Sequence, residues 1–200
     1  MDLEKTIRAL KGRGFAVSRF AAKEEAADYL AGEVKGMSVG LGGSMTLKEI
    51  GVEDRLKENN TVYWHWTATA DPQEALRQAM TTDVYLLSAN AIAEDTGEIL
   101  NIDGTGNRVS SSLFGHKKVY FVAGKNKISP NYESALFRLR NVVSPKNAQR
   151  LGRKTPCALN ADKCYNCDSP ERICKALVVF FQKIGSMDVE VILIDEDLGY

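Results

Sequence analysis

SVGLGGSMTLKEIG, residues 38–51, carries the chain from a short apolar run through Gly40, Gly42 and Gly43 into a helix opened by Ser44 and Thr46. A strand that ends in glycines and turns at once into a helix is one unit of an α/β sheet. The flanking sequence keeps that rhythm. Residues 3–11 set Leu3, Ile7 and Leu10 at helical spacing, 15–20 read as a strand, 23–31 as a helix and 37–41 as the strand just quoted. Strands follow at 61–66, 83–87 and 118–123. Between the first two, Asp71-Pro72-Gln73-Glu74 starts a helix, with Asp as cap, Pro in the first turn and Glu reaching back. Residues 91–94 and 98–102 flank the turn Asp95-Thr96-Gly97 as a hairpin. Helices are expected near 107–114, at 132–140 and at 145–151, and 174–182 and 189–194 close the chain as two strands joined at Gly185-Ser186. Such alternation predicts a three-layer α/β/α domain over residues 1–200, built on a mostly parallel sheet with some antiparallel strands at an edge.

In sheets of this kind ligands bind outside the carboxyl ends of the strands, which directs attention to the loops that follow them. The first is 38–51. It is not GxGxxG, since Met45 stands where a third glycine belongs, and no Gly-Lys-Ser/Thr makes it a Walker A loop. A carboxylate, a phosphate or part of coenzyme A remains open, and so does a plain tight turn in which Ser44 or Thr46 only caps the helix. The second loop is NIDGTGNRVSSSLFG, residues 101–115, where Gly104 and Gly106 are joined by Asp103, Asn107 and Arg108. Arg108 near a helix start opposes the helix dipole. It either pairs with Asp103 or Glu94, or meets a bound anion. Between the loops, Asn90 ends a strand and Glu94 opens the hairpin. If both loops form one pocket, Glu94 is the carboxylate placed to act as base or nucleophile; otherwise it is a surface acid. His65 and His116 have no partners in sequence and receive no role.

Lys plus Arg and Asp plus Glu number 26 each, a balance that argues against a nucleic-acid or anionic-membrane surface. Residues 144–183 depart from it. Lys146, Arg150, Arg153, Lys154, Lys163, Arg172, Lys175 and Lys183 face only Asp162, Asp168 and Glu171, which reads as a solvated face or as the neighbourhood of an anion. MDLEKTIRAL is no secretory leader, and the longest apolar run, 176–181, is far short of the roughly 20 residues that cross a bilayer. A cytoplasmic protein is therefore expected, with its thiols reduced.

All four cysteines lie within residues 155–175, as C-x6-C-x2-C-x6-C: Cys157, Cys164, Cys167 and Cys174. The single CxxC can aim two thiolates at one ion, with the outer pair completing a set for zinc or an iron–sulfur cluster. Reduced or redox-active thiols and disulfides are the alternatives, and Lys163, Arg172 and Lys175 favour thiolates, which suits either metal binding or redox reactivity. Residues 1–150 account for fold and pocket without a cysteine. The segment is thus expected to be a clasp or redox centre beside the pocket and not the site of substrate binding.

GGSMTLKEIG, SANAIAEDTGEILNIDGTGNRVSSSLFGHKKVYFVAGKNKI, SPERIC and the closing LGY together resemble the lactate-utilisation (LUD) domain family over nearly the whole chain, GTGNRVS most specifically. The resemblance implies a Rossmann-like α/β/α sandwich akin to the sugar-phosphate isomerase and coenzyme A transferase superfamily. It also implies a part in oxidising lactate to pyruvate, as an accessory component beside a larger iron–sulfur protein; whether the component is itself an enzyme stays open. Gly42, Gly43, Ser44 and Thr46 match the family's first loop. Asn90, Glu94, Asp103, Gly104, Gly106, Asn107 and Arg108 match its second region. The cysteine segment departs from the family pattern and marks a compact subgroup; the electron-transfer setting that the family resemblance implies favours a cluster over zinc. The partners implied are a small anionic ligand, an iron–sulfur protein and, as an option, a second copy of the chain. The competing readings are a stand-alone isomerase or acyl-transfer enzyme, and a metal-binding or redox-sensing protein with a vestigial pocket.

Overall fold

The computed structural model describes residues 1–200. Helix α1 (Leu3–Gly12) starts at Asp2, whose carboxylate accepts from the Lys5 amide, and leads through β1 (Ala16–Phe20), α2 (Lys23–Glu33) and β2 (Ser38–Leu41) into α3 (Met45–Glu49) and α4 (Val52–Lys57). β3 (Thr61–Tyr63) precedes α5 (Pro72–Ala79), whose cap is Asp71 with Pro72 in the first turn, as the sequence predicts. β4 (Val84–Leu87), β5 (Ala91–Ala93), β6 (Ile99–Asp103), α6 (Asn107–Ser111), β7 (Lys118–Gly124), a 3-10 turn at Lys125–Lys127 and β8 (Ile128–Ser129) follow. The chain ends with α7 (Tyr132–Arg138), a π-helical segment (Leu139–Val143), α8 (Ser144–Arg150), α9 (Pro156–Asn160), β9 (Ala176–Phe180) and β10 (Asp188–Ile194).

Six strands form one wholly parallel sheet in the order β1-β10-β7-β4-β2-β3. Its central strands are apolar on both faces and split their side chains by the period of two. Val84, Leu86, Tyr120, Val122, Ile192 and Ile194 join α2, α3 and α4 in one core, while Tyr85, Leu87, Val119, Phe121, Val191 and Leu193 join α1 and α5 in the other. The antiparallel strands expected at an edge form a separate mixed sheet, β8-β5-β6-β9, in which β5, β6 and β9 run antiparallel and β8 joins β5 in parallel; it packs on that second core through Ile92, Ile99 and Phe180. The C-terminal strands part company: β9 pairs antiparallel with β6, and β10 enters the large sheet between β1 and β7. The two helices expected at 132–140 and 145–151 run on as one, because the π segment absorbs the missing N–H of Pro145, and Ser144 Oγ returns a bond to the Leu139 carbonyl at 2.9 Å. No helix is long and apolar enough to cross a membrane.

Chain leaving β2 passes to the α3–α4 face, and chain leaving β4 passes to the opposite face as β5 and β6. The two neighbouring strands therefore part at their carboxyl ends and leave a crevice there.

Candidate functional site

A cavity of about 460 Å³ occupies that crevice. Its floor is made by residues that follow the parallel strands: Gly43 and Ser44 after β2, His65 and Trp66 after β3, Ser88 and Asn90 after β4, and Lys127 after β7. The opposite wall comes from Asp103–Thr105, Asn107 and Arg108, from α8, and from Pro170–Ile173 and Lys175.

The two glycine loops meet here, but their glycines chiefly make room for protein. A Cβ on Gly42 would lie 3.0 Å from Arg108 Cγ, so the missing side chain is the space in which the arginine stem lies. A Cβ on Gly104 would lie 2.4 Å from the Ile173 carbonyl oxygen, where the cysteine segment crosses the loop. Gly106 caps α6 at φ +93°, a backbone setting that suits glycine, and donates its amide to Asp103 Oδ1 at 2.9 Å. Ser44 caps α3 by accepting from the Leu47 amide. Thr46 Oγ1 accepts from Ser88 and donates to the Leu198 carbonyl, behind the cavity wall with Gly42 and Gly106.

Arg108 is the most engaged of the expected residues. Its Nη2 donates to the Ile102 carbonyl at 2.6 Å and to Asn90 Oδ1 at 3.3 Å, and its Nε lies 3.6 Å from Asp103 Oδ2. Asn90 also accepts from the Ile102 amide, so it positions the guanidinium. The pairing of Arg108 with Asp103 is thus real, and it leaves Nη1 without a partner inside the chain. Asn107 lines the cavity beside it.

Glu94 is elsewhere. Its carboxylate accepts from the Asp2 amide at 2.6 Å and pairs with Lys5 at 3.8 Å, so it ties the second sheet to the start of α1. It is not among the residues that line the cavity, so its carboxylate is not placed to act there as base or nucleophile. The hairpin explains the difference: four strand residues beyond Asn90, at about 3.3 Å each, carry Glu94 roughly 13 Å away.

Among the lining residues, Trp66 and Lys127 carry no signal in the sequence. Arg108, Lys127, Arg150, Arg153, Arg172 and Lys175 face only Asp103 and Glu171. Four of the eight basic residues counted between 144 and 183 are in this set, so the local charge excess surrounds the cavity. Arg150 stacks over Trp66, 5.0 Å from the ring. Burial holds the His65 imidazole below its ordinary pKa. His116, by contrast, stacks on Tyr85 and bonds to Thr82.

A family model described as the LUD domain matches residues 3–194. The chain belongs to the LUD domain family. Among solved structures it is similar to a DUF162 family protein from Deinococcus radiodurans, at 12% identity over 96% of this chain and 95% of that one, with a TM-score of 0.51. That likeness is one of fold. A search of the curated proteins returns no match to the chain.

In this LUD domain the cysteines are four free thiols. Cys164 Sγ accepts from the Asn166 amide at 3.3 Å and from Arg140 at 3.6 Å, Cys174 Sγ accepts from Arg172 Nε at 3.2 Å, and Cys157 Sγ shares a hydrogen bond with Thr155. Arg172 is held among them, with Nη1 donating to the Cys167 carbonyl at 2.6 Å; the bond to Cys174 and the charge of Cys174, Cys167 and Cys164 raise its pKa. No three metal-ligating side chains of the chain share one coordination set. A cation, the guanidinium, already lies among the thiols, so this arrangement does not fit a zinc ion or a cluster. What the segment does provide is a wall, since Pro170 to Ile173 and Lys175 line the cavity.

Proposed function

We propose that the cavity binds a small carboxylate and that the chain serves the oxidation of lactate or a related hydroxy acid as a ligand-binding component. The observation that carries this reading is the lining: six basic side chains against two acids in a crevice at the carboxyl ends of a parallel sheet. Arg108 is the anchor, because its Nε and Nη2 are fixed by Asp103, Ile102 and Asn90 and its planar fork still offers Nη1 to an anion. Membership of the LUD domain family points the ligand toward lactate and pyruvate.

A thermal-shift series tests it with lactate, pyruvate, a sugar phosphate and coenzyme A. A ligand present at one hundred times its Kd stabilises by about 2.7 kcal/mol through mass action. Lactate or pyruvate is expected to raise Tm, and Arg108→Gln to abolish the rise. If no member of the series moves Tm at millimolar concentration, the cavity is not a binding site for small anions.

A further inference from the structure

Lys127 is 4% exposed and lines the cavity. Its Nζ makes no hydrogen bond or ion pair within the chain. The segment Leu198–Tyr200, fixed by Thr46, Glu49 and Asn126, lies across it; a Cβ on Gly199 would come within 3.1 Å of Nζ. Arg138 and Arg108 are near enough to repel an ammonium there, and only Glu49 draws one, while its carboxylate is already bonded to the Gly199 amide at 2.7 Å. A buried amine beside guanidiniums, without a counter-ion, has two outlets: it awaits an anion as a cation, or it keeps a free lone pair. Desolvation, then the two arginines, push its pKa down to about 7, so a large fraction is neutral at physiological pH. Among amines, that is the condition for nucleophilic attack on a carbonyl.

We propose that Lys127 captures a 2-oxo carboxylate in this cavity as an imine, with Arg108 holding the carboxylate. The inference rests on the anion-binding reading and adds the substrate class, since oxidation of a 2-hydroxy carboxylate yields a 2-oxo carboxylate. The Nζ lone pair adds to the carbonyl carbon, and the carbonyl π pair moves to oxygen, which takes one proton from nitrogen. The resulting carbinolamine loses its hydroxyl together with the second nitrogen-bound proton as water, and the C=N bond forms. No oxidant or reductant is consumed.

The full-length chain incubated with pyruvate and cyanoborohydride, then followed by intact mass and peptide mapping, tests the step. One reduced pyruvyl adduct is expected, on Lys127, and it is lost in Lys127→Arg and Lys127→Met. Lactate, which has a hydroxyl in place of the keto group and so no carbon that can form an imine, should compete with labelling but leave no adduct of its own. If pyruvate raises Tm and yet leaves no adduct, or labels surface lysines equally in Lys127→Met, the covalent step is refuted and anion binding stands. If pyruvate neither raises Tm nor labels Lys127, both readings fall.

Discussion

Replacing Lys127 with Met is expected to stabilise the protein, by an amount that depends on pH in a defined direction. Met fills much of the same volume and carries no charge. In the unfolded chain the lysine titrates near 10.5, whereas in the folded protein burial and the flanking Arg138 and Arg108, against the weaker pull of Glu49, bring it to about 7. Below pH 7 both states are protonated and the folded protein bears the whole cost of a buried ammonium. The gap between the two values converts to roughly 5 kcal/mol at most, at 1.36 kcal/mol per unit. Between pH 7 and 10.5 the unfolded chain holds the extra proton, so wild-type stability rises with pH and the gap to Met closes. Urea denaturation of both proteins at pH 6, 8 and 10 reads this directly. The variant should lead by several kcal/mol at pH 6, by less at pH 8 and by little at pH 10. Equal stabilities at pH 6, or a lead that grows with pH, would refute the buried-amine argument.

Glu94→Gln should leave any ligand-induced Tm shift as in wild type and lower stability by no more than about 1 kcal/mol, the range of a partly exposed ion pair; loss of the ligand shift would return Glu94 to the cavity. Gly104→Ala should cost about 1–3 kcal/mol by overpacking, because its Cβ would meet the Ile173 carbonyl at 2.4 Å. It should also speed the reaction of the cysteines with a thiol reagent by lifting the segment they share. Metal analysis of anaerobically purified protein is expected to find well under one iron or zinc per chain, with four titratable thiols. A stoichiometric ion or cluster would mean that Arg172 gives up its place among them.

Local chemistry made much of the fold legible. The run from β2 through Gly42 and Gly43 into α3, and the Asp71-Pro72 start of α5, need only their own neighbours, and both form as read. Arg108 was readable as well, because an arginine at a helix start asks for an acid or an anion, and Asp103 answers. What escaped depends on distant chain. Nothing in Lys125-Asn126-Lys127 distinguishes the buried lysine from the solvated one; the difference is made by residues 198–200 folding across it. β9 is joined to β10 by a turn at Gly185-Ser186, yet it pairs with β6. Glu94 was close to both loops in sequence, and a strand's rise carried it to the far end of the hairpin.

The place of β10 has a consequence for how the molecule comes into being. β1 pairs with no strand but β10, Ala16 meeting Glu190 and Phe20 meeting Ile194. During synthesis β1 therefore waits for β10, some 170 residues later in the chain, before it has a partner. Until then both β1 and the flank of β7 expose unpaired edges, the kind that recruit other chains. Completion of the sheet therefore waits for β10, with the slow closure of long-range parallel pairing. Nascent chains halted before residue 188 should need chaperones more than the finished protein does.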